Sequence, residues 1–439
     1  MMLRKRSFMM LACIAAFVAC SEQSEYADRN MLSEHARSYV SGYVANGDFS
    51  GIAVVSQSGS ILVSESFGYS DIKSQSAPDL HTSFHIASLS KTFTSTAIMR
   101  LVENGMVKLD ASLATYIPDF PDADRITIHH LLRHESGIPD YWTAPDISEI
   151  SQRPLSTDEL ILWLGQRPLE FAPGSQSRYS NSGYAVLAAV IESVSGQPYH
   201  DYLSTHVYPP EVLDMTREFR GQADAIGYQP SYEAAGIAPA PTYNASFLLG
   251  AGSLESTADD LIAWCNEVIR SHQTRDSAQL IYGWGARESD DRQWLEQSGR
   301  NPGYASHLRV YPDESLCIVV LSNIESESVN AIAEGLASLA AGQKVTPPAQ
   351  RDLKVLAPNQ MEDFTGLYQI EPGRNVEVRG TAAGLVLAGT GGPLLPLEAM
   401  GEDRFFYRQL YVEIGVERDA DDNVIALLWG GTYPLPKIK

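Results

Sequence analysis

The chain has 439 residues, enough for two or three domains and a sizeable buried core. Its 44% hydrophobic and 20% charged residues are globular proportions and exclude a largely disordered chain. A net charge of −22 excludes a nucleic-acid footprint, and four cysteines without a C-x-x-C pair exclude a disulfide scaffold or zinc-finger framework.

Residues 1–20 read as an export signal. Arg4-Lys5-Arg6 form a positive n-region, and Phe8 to Val18 form an apolar stretch too short to span a bilayer. The stretch ends Phe17-Val18-Ala19-Cys20-Ser21, a junction similar to a bacterial lipobox except that Phe17 stands where Leu is usual. Cleavage there makes Cys20 a lipidated first residue; the alternative is ordinary cleavage near Ala19. The expected location is the periplasm or cell envelope, with the membrane touched only through an anchor at Cys20.

Two apolar runs, Gly51 to Val55 and Ile61 to Glu65, flank Ser58-Gly59 and predict a hairpin. A helix is predicted from Ser88 onward, with Phe93, Ala97, Leu101 and Val102 on one face and Asn104-Gly105 as its end. Further helical runs cover Tyr184 to Val194 and Ala258 to Ile269. A second hairpin is predicted from Ser306 to Tyr311 and Leu316 to Leu321 around Pro312-Asp313-Glu314, followed by helical spacing from Val329 to Leu339. Strands at both ends with helices inserted between them predict one antiparallel sheet beside a helical lobe. Cys265 and Cys317 read as buried small hydrophobes, with a disulfide between them left open.

At Thr346-Pro347-Pro348-Ala349 the pattern breaks into a linker, assigned to residues 346–357. Residues 358–439 hold short alternating runs separated by turns such as Thr390-Gly391-Gly392-Pro393 and Asp421-Asp422-Asn423. They predict a small all-β, barrel-like domain with no catalytic constellation of its own.

Ser-x-x-Lys puts a hydroxyl and an amine on one helix face, about 5–6 Å apart at Cβ, so that the amine can activate the hydroxyl. The spacing occurs twice, at Ser70/Lys73 and Ser88/Lys91. Only the second opens a helix, where backbone N–H groups and the dipole favour a nucleophile. Lys91 in a first turn also breaks a local stability rule, as functional residues do. Tyr179-Ser180-Asn181 is the one Tyr-x-Asn. A phenol beside a lysine is expected to have its pKa lowered from about 10 and to serve as a base.

The third segment is Gln297-Ser298-Gly299-Arg300-Asn301-Pro302-Gly303-Tyr304. Ser-x-x-Lys, then Tyr-x-Asn, then [Lys/His]-x-Gly is the ordered signature of the serine β-lactamase and penicillin-binding protein superfamily, which this chain resembles over roughly residues 45–325. The stretches Ile126 to Pro139, Phe171 to Tyr184 and Leu249 to Leu261 are similar to that family's too. The resemblance is closest to the branch of class C β-lactamases, D-alanyl-D-alanine carboxypeptidases and β-lactamase-like esterases, which often carry an appended β domain. It implies an α/β (α+β) transpeptidase-like fold over residues 21–345 and an exported serine hydrolase with no cofactor or metal. Its substrate would be a small molecule or peptide. By the resemblance Ser88 is the acylated nucleophile, and Lys91 and Tyr179 share the proton transfers. Asn181 holds the acyl side chain, while Gln297, Ser298, Gly299 and Arg300 form the substrate-binding edge. Backbone N–H groups of Ser88 and Arg300 would make an oxyanion hole, worth about 3–4 kcal/mol per donor.

One departure matters. The family places Lys or His at Gln297, where a cation helps bind a substrate carboxylate; an amide carries no charge. Arg300 could supply it only from the opposite face of the strand. This shifts the expectation toward an uncharged ester or amide. The alternative is a non-catalytic, penicillin-binding-protein-like binding or sensor protein of the envelope. No Gly-x-Ser-x-Gly elbow or Walker A loop is present, and Gly283-Trp284-Gly285 has Glu288 where a dinucleotide turn needs glycine. His130 and His134 share a helix face but lack an evident third zinc ligand.

Overall fold

The computed structural model describes residues 29–209, 216–231, 236–274, 282–289, 292–371, 374–389 and 394–438. The export signal and Cys20, together with the turn at 390–393, lie outside the described residues.

A helix over residues 29–45 (α1) leads into strands Gly51–Gln57 (β1) and Ser60–Phe67 (β2). Helices Ser90–Glu103 (α2), Ile128–Leu132 (α3), Asn181–Ser195 (α4) and Ala258–Thr274 (α5) build the lobe. The chain returns through strands Gly285–Ser289 (β3), Arg292–Asn301 (β4), Tyr304–Tyr311 (β5) and Leu316–Ser322 (β6), then helix Ser328–Ala340 (α6). The six strands form one sheet in the order β2-β1-β6-β5-β4-β3. The antiparallel pairing of Gly51 with Ser322 and Ile52 with Leu321 joins the two ends of the domain.

Side-chain alternation explains the layering. Ile52, Val54, Val319 and Leu321 point into the lobe's core, whereas Ala53, Val55, Ile318 and Val320 point into a second core. That second core is closed by Tyr39 and Val40 of α1 and Ile332 and Leu336 of α6. The central strands are therefore covered on both faces, which accounts for their continuous apolar runs. In α4 all residues from Asn181 to Ile191 are buried, as expected of a helix that is apolar around its whole circumference.

Cys265 of α5 and Cys317 of β6 are joined as a disulfide, with Cα atoms 6.1 Å apart and a sequence separation of 52. Both are buried, as the sequence predicts, and the pairing it leaves open is made. Packing of α5 on β6 brings together two cysteines whose separate local patterns gave no sign of approach. Closing a loop of that length stabilises the fold by about 4 kcal/mol in the chain-entropy account. Unfolding followed in urea with and without dithiothreitol is expected to show a lower midpoint after reduction; an unchanged midpoint would contradict a stabilising bridge.

Eight strands form the second domain: Gly366–Glu371 (β7), Arg374–Thr381 (β8), Gly384–Gly389 (β9), Leu394–Ala399 (β10), Arg404–Tyr407 (β11), Val412–Arg418 (β12), Val424–Trp429 (β13) and Tyr433–Pro436 (β14). They pair in chain order, and Ile438 N–H donating to the Leu367 carbonyl at 2.8 Å draws the last strand onto the first. Closure removes the exposed edges of an open sheet. The interior is filled by Tyr368, Val378, Phe405, Ile414 and Leu427. The runs at β7, β10 and β14 were not distinguished from loop in the sequence, because proline interrupts β10 and β14 and glycine opens β7.

The barrel is clamped to the first domain by charge. Asp48, fully buried, accepts from Arg351 Nη1 at 2.7 Å and from Arg408 Nη1 at 2.7 Å, and Arg408 also pairs with Glu398 at 2.7 Å. Burial of Asp48 pushes its carboxyl up, and the two guanidiniums oppose that push.

Candidate active site

Ser88 lies in a single turn of 3-10 helix, Ala87–Leu89, that runs directly into α2. The turn is entered through Ala87 at φ 48°, a left-handed conformation that costs a residue with a Cβ about 1–3 kcal/mol. Phe93, Ala97, Ile98 and Leu101 anchor α2 in the lobe core. Lys91 is only 1% exposed and its ammonium is held from three sides. Nζ donates to Ser88 Oγ at 3.0 Å, to Asn181 Oδ1 at 2.7 Å and to the Ala251 carbonyl at 2.8 Å.

Tyr179 and Asn181 arrive at the amino end of α4, where Ser180 caps the helix by accepting from the Gly183 N–H. The Tyr179 hydroxyl lies 2.9 Å from Ser88 Oγ, across 91 residues of sequence. Hydroxyl, amine and phenol therefore converge. Ser70 and Lys73 do not: Ser70 Oγ donates to the Ser76 carbonyl at 3.0 Å, in a turn, and Lys73 is exposed.

The edge of β4 closes the site. Gln297 Nε2 donates to the Ser88 carbonyl at 3.3 Å, and Ser298, Gly299 and Arg300 line a cavity of about 480 Å³ with Ser88, Tyr179 and Asn181. Strand β4 turns into β5 through the two-residue loop Pro302-Gly303, which makes Asn301 and Tyr304 the first opposed pair. Alternation along an antiparallel ladder then points the Arg300 backbone N–H away from β5. Gly299 sits where β4 crosses the Ser88 turn, so close that a Cβ would meet the Ile86 carbonyl oxygen at 2.2 Å.

Arg300 does not replace the missing cation. Its guanidinium leaves on the face opposite Gln297 and lies 4.0 Å from Glu325 and 3.8 Å from Glu327, donating to the Gln409 carbonyl at 3.3 Å. Among the described residues lining the cavity it is the only cation, and it is shared between two carboxylates.

Electrostatics reverse one expectation. Burial pushes Lys91 from 10.5 down to about 7, partly offset by the charge of Asp140. The Tyr179 phenol is pushed up, not down: desolvation raises it, and the hydrogen bond with Ser88 only partly counters this. The Tyr179 side chain is 48% exposed, so water reaches the ring and tempers that rise, but nothing in the site lowers the phenol below its ordinary value. The amine, rather than the phenol, is thus the group that can lose its proton near neutral pH. A neutral Lys91 brings no charge with which to stabilise a Tyr179 phenolate.

Asp140 escaped the sequence reading. Its Oδ2 accepts from Asn181 Nδ2 at 2.9 Å and its Oδ1 from the Trp142 N–H at 3.0 Å. A chain of hydrogen bonds therefore runs from Asp140 through Asn181 to Lys91 and Ser88. This leaves Asn181 one amide hydrogen for a substrate carbonyl. The available signal was position, since Asp140 directly follows the family-like stretch ending at Pro139. Asp140→Asn is expected to remove the charge that raises Lys91, moving the acidic limb of a pH-rate profile to lower pH. A limb that stays in place or moves up would contradict this coupling.

His130 and His134 each hold a backbone N–H. His130 Nδ1 accepts from the Thr127 N–H at 3.3 Å, and His134 Nδ1 accepts from the Ser180 N–H at 3.1 Å. No group of three potential metal ligands occurs among the described residues. His134 also packs against the Tyr179 ring, with centroids 4.6 Å apart.

Comparison with known proteins places this geometry among relatives. The family model described as Beta-lactamase matches residues 36–343. The chain is 27% identical over 404 residues to "Penicillin-binding protein 4*" of Bacillus subtilis (strain 168), covering 83% of this chain and 89% of that one. In structure it is similar to the D-amino acid amidase from Ochrobactrum anthropi SV3 complexed with D-phenylalanine, with a TM-score of 0.63 and 21% identity, over 71% of this chain and 99% of that chain. The octameric penicillin-binding protein homologue from Pyrococcus abyssi gives a TM-score of 0.61 and 22% identity over 90% of this chain and 97% of that one, a likeness of fold that includes the barrel.

Proposed function

The chain belongs to the beta-lactamase family, and on that premise we propose that it is a serine hydrolase working through an acyl-enzyme on an uncharged ester or amide. The observation that carries this reading is the contact of Lys91 Nζ with Ser88 Oγ at 3.0 Å, made by an amine whose pKa burial has brought to about 7. In the neutral form Lys91 takes the Ser88 proton as Oγ attacks the carbonyl carbon. The N–H groups of Ser88 and Arg300 receive the developing oxyanion. As the bond to the leaving group breaks, the Tyr179 hydroxyl gives it a proton, and the Lys91 ammonium restores that proton to Tyr179. Water then attacks the acyl-enzyme by the reverse route, releasing the acid and regenerating Ser88. Gln297 and the doubly paired Arg300 support a substrate without a carboxylate at the cleaved group.

A panel of short esters, β-lactams and D-amino peptides, run with wild type and Ser88→Ala, tests the reading. Turnover of an uncharged ester or amide, lost in the variant together with fluorophosphonate labelling of Ser88, is the expected result. No turnover and no labelling would sink it. The loss of charge at Gln297 favours one second reading, a binding or sensor protein without turnover. In that case Gln297→Lys should create hydrolysis where wild type has none.

Export of the chain belongs to the same proposal. The leader pattern of residues 1–20 supports it, and so does the Cys265–Cys317 disulfide, a bond that persists in oxidising compartments. Anchoring at Cys20 predicts a lipid-modified amino terminus in the intact mass of protein recovered from the membrane fraction; an unmodified mass would restrict it to a soluble exported form.

A further inference from the structure

A second cavity, of about 550 Å³, opens against the reaction cavity. The two share Gln297, Ser298, Glu327 and Asn330, so the outer edge of β4 is the sill between them. One wall comes from the other domain: Leu410 and Tyr411, in the turn between β11 and β12 of the barrel, line it. That turn is fixed. The Gln409 carbonyl accepts from Arg300 at 3.3 Å and from the Glu327 N–H at 2.9 Å, and the neighbouring Arg408 is tied to buried Asp48. The wall is therefore preformed, as binding clefts usually are.

The charges in this cavity are unequal. Arg287 and Arg309 both pair with one carboxylate, Glu296, at 3.1 and 2.7 Å. His307 is held neutral, burial pushing it down to about 4. Two further carboxylates remain, Glu334 on α6 and Glu327, the latter sharing Arg300 with buried Glu325. Among the described lining residues two guanidiniums stand against three carboxylates, one net negative charge, so the cavity favours a cation over an anion.

We propose that this cavity is a subsite of the same hydrolase for the distal part of an elongated substrate, that the group it accepts is an ammonium or guanidinium, and that the barrel turn at Leu410 and Tyr411 is part of the substrate-binding cleft. The inference rests on the reading of Ser88 as the acylated nucleophile. It gives the barrel a role in specificity that its own sequence, lacking catalytic residues, did not suggest.

Alkyl esters ending in an ammonium, a methyl or a carboxylate group test it, with the tail placed on the acyl half in one series and on the alcohol half in another. Ethyl acetate is the short reference. In one series the ammonium-tailed ester is expected to exceed its carboxylate-tailed twin in kcat/KM by about tenfold. Glu327→Gln should shrink that ratio to about threefold or less, since it removes the one net negative charge of the lining. Leu410→Trp, which fills the cavity, should lower the ratio of ammonium-tailed ester to ethyl acetate by about tenfold. Leu410→Phe serves if the tryptophan variant melts early. Equal rates for the three tails in both series, or an equal loss on ethyl acetate and the tailed ester, overturns the subsite while leaving the hydrolase standing. Absence of all hydrolysis and of Ser88 labelling in wild type overturns the parent reading and the subsite with it.

Discussion

Replacing Lys91 by Met is expected to lower kcat/KM for every substrate that wild type turns over by roughly 10²- to 10⁴-fold, the range supplied by a positioned general base. Methionine keeps the length and apolar stem of the side chain, so the lobe core around α2 is retained. What disappears is the one group within 3.0 Å of Ser88 Oγ that can take a proton near neutral pH. Wild-type kcat/KM should rise with pH through about 7 as the Lys91 ammonium loses its proton. The direction follows from burial, which disfavours the charged form of an amine and leaves it neutral at a pH where an exposed lysine would be fully protonated. A Lys91→Met enzyme with near wild-type kcat/KM, or a wild-type profile flat between pH 6 and 9, would assign the proton transfer elsewhere. The pH limits of that assay simply bracket the pKa of about 7.

Gly299→Ala is the second large effect. The added Cβ would stand 2.2 Å from the Ile86 carbonyl oxygen, 2.7 Å from Ser306 Oγ and 2.9 Å from the Ser88 nitrogen. Two of these three are backbone atoms of the nucleophile turn and cannot swing aside. Strand β4 must then retreat from that turn, carrying the Arg300 N–H away from the Ser88 N–H and disrupting the proposed oxyanion hole. A loss of roughly 10²- to 10³-fold in kcat is expected, the scale of one lost oxyanion donor. Overpacking adds about 1–3 kcal/mol of destabilisation. Gly380→Ala in the barrel is the control, because its nearest atoms stand at 3.7 Å in ordinary contact. Similar kinetics for both variants would show that the approach of β4 to the Ser88 turn has no catalytic importance.

Much of the architecture was legible in local pattern. The continuous apolar runs of β1 and β6 predicted strands, and their pairing across the whole first domain follows from two hairpins at its ends. The helix behind Ser88 was legible from Phe93, Ala97 and Leu101, three residues that do point into the core. The barrel's existence was readable, but β7, β10 and β14 were not, since their backbone pairing overrides glycine and proline that locally suggest turns. At the site, motif order singled out Gln297 to Arg300, and these residues line the cavity beside Ser88. The fate of Arg300 was not legible, because its carboxylate partners sit in a later segment and its carbonyl partner in another domain.

The amino-acid sequence by itself determined what a helix turn or a strand can hold. It set Ser88 and Lys91 on one helix face, Gln297 and Arg300 on opposite faces of a strand, and an uncharged residue where a cation is usual. Those relations are fixed by periods of 3.6 and 2 residues and need no neighbours. The tertiary structure alone decided the approach of Tyr179 to Ser88, the placement of Asp140 behind Asn181, the joining of Cys265 to Cys317 and the wall that Leu410 and Tyr411 give to a second cavity. It also decided which of the amine and the phenol gives up its proton. A pKa is set by how much water the surrounding fold removes and which charges it brings near, and neither quantity is written in the spacing of a motif.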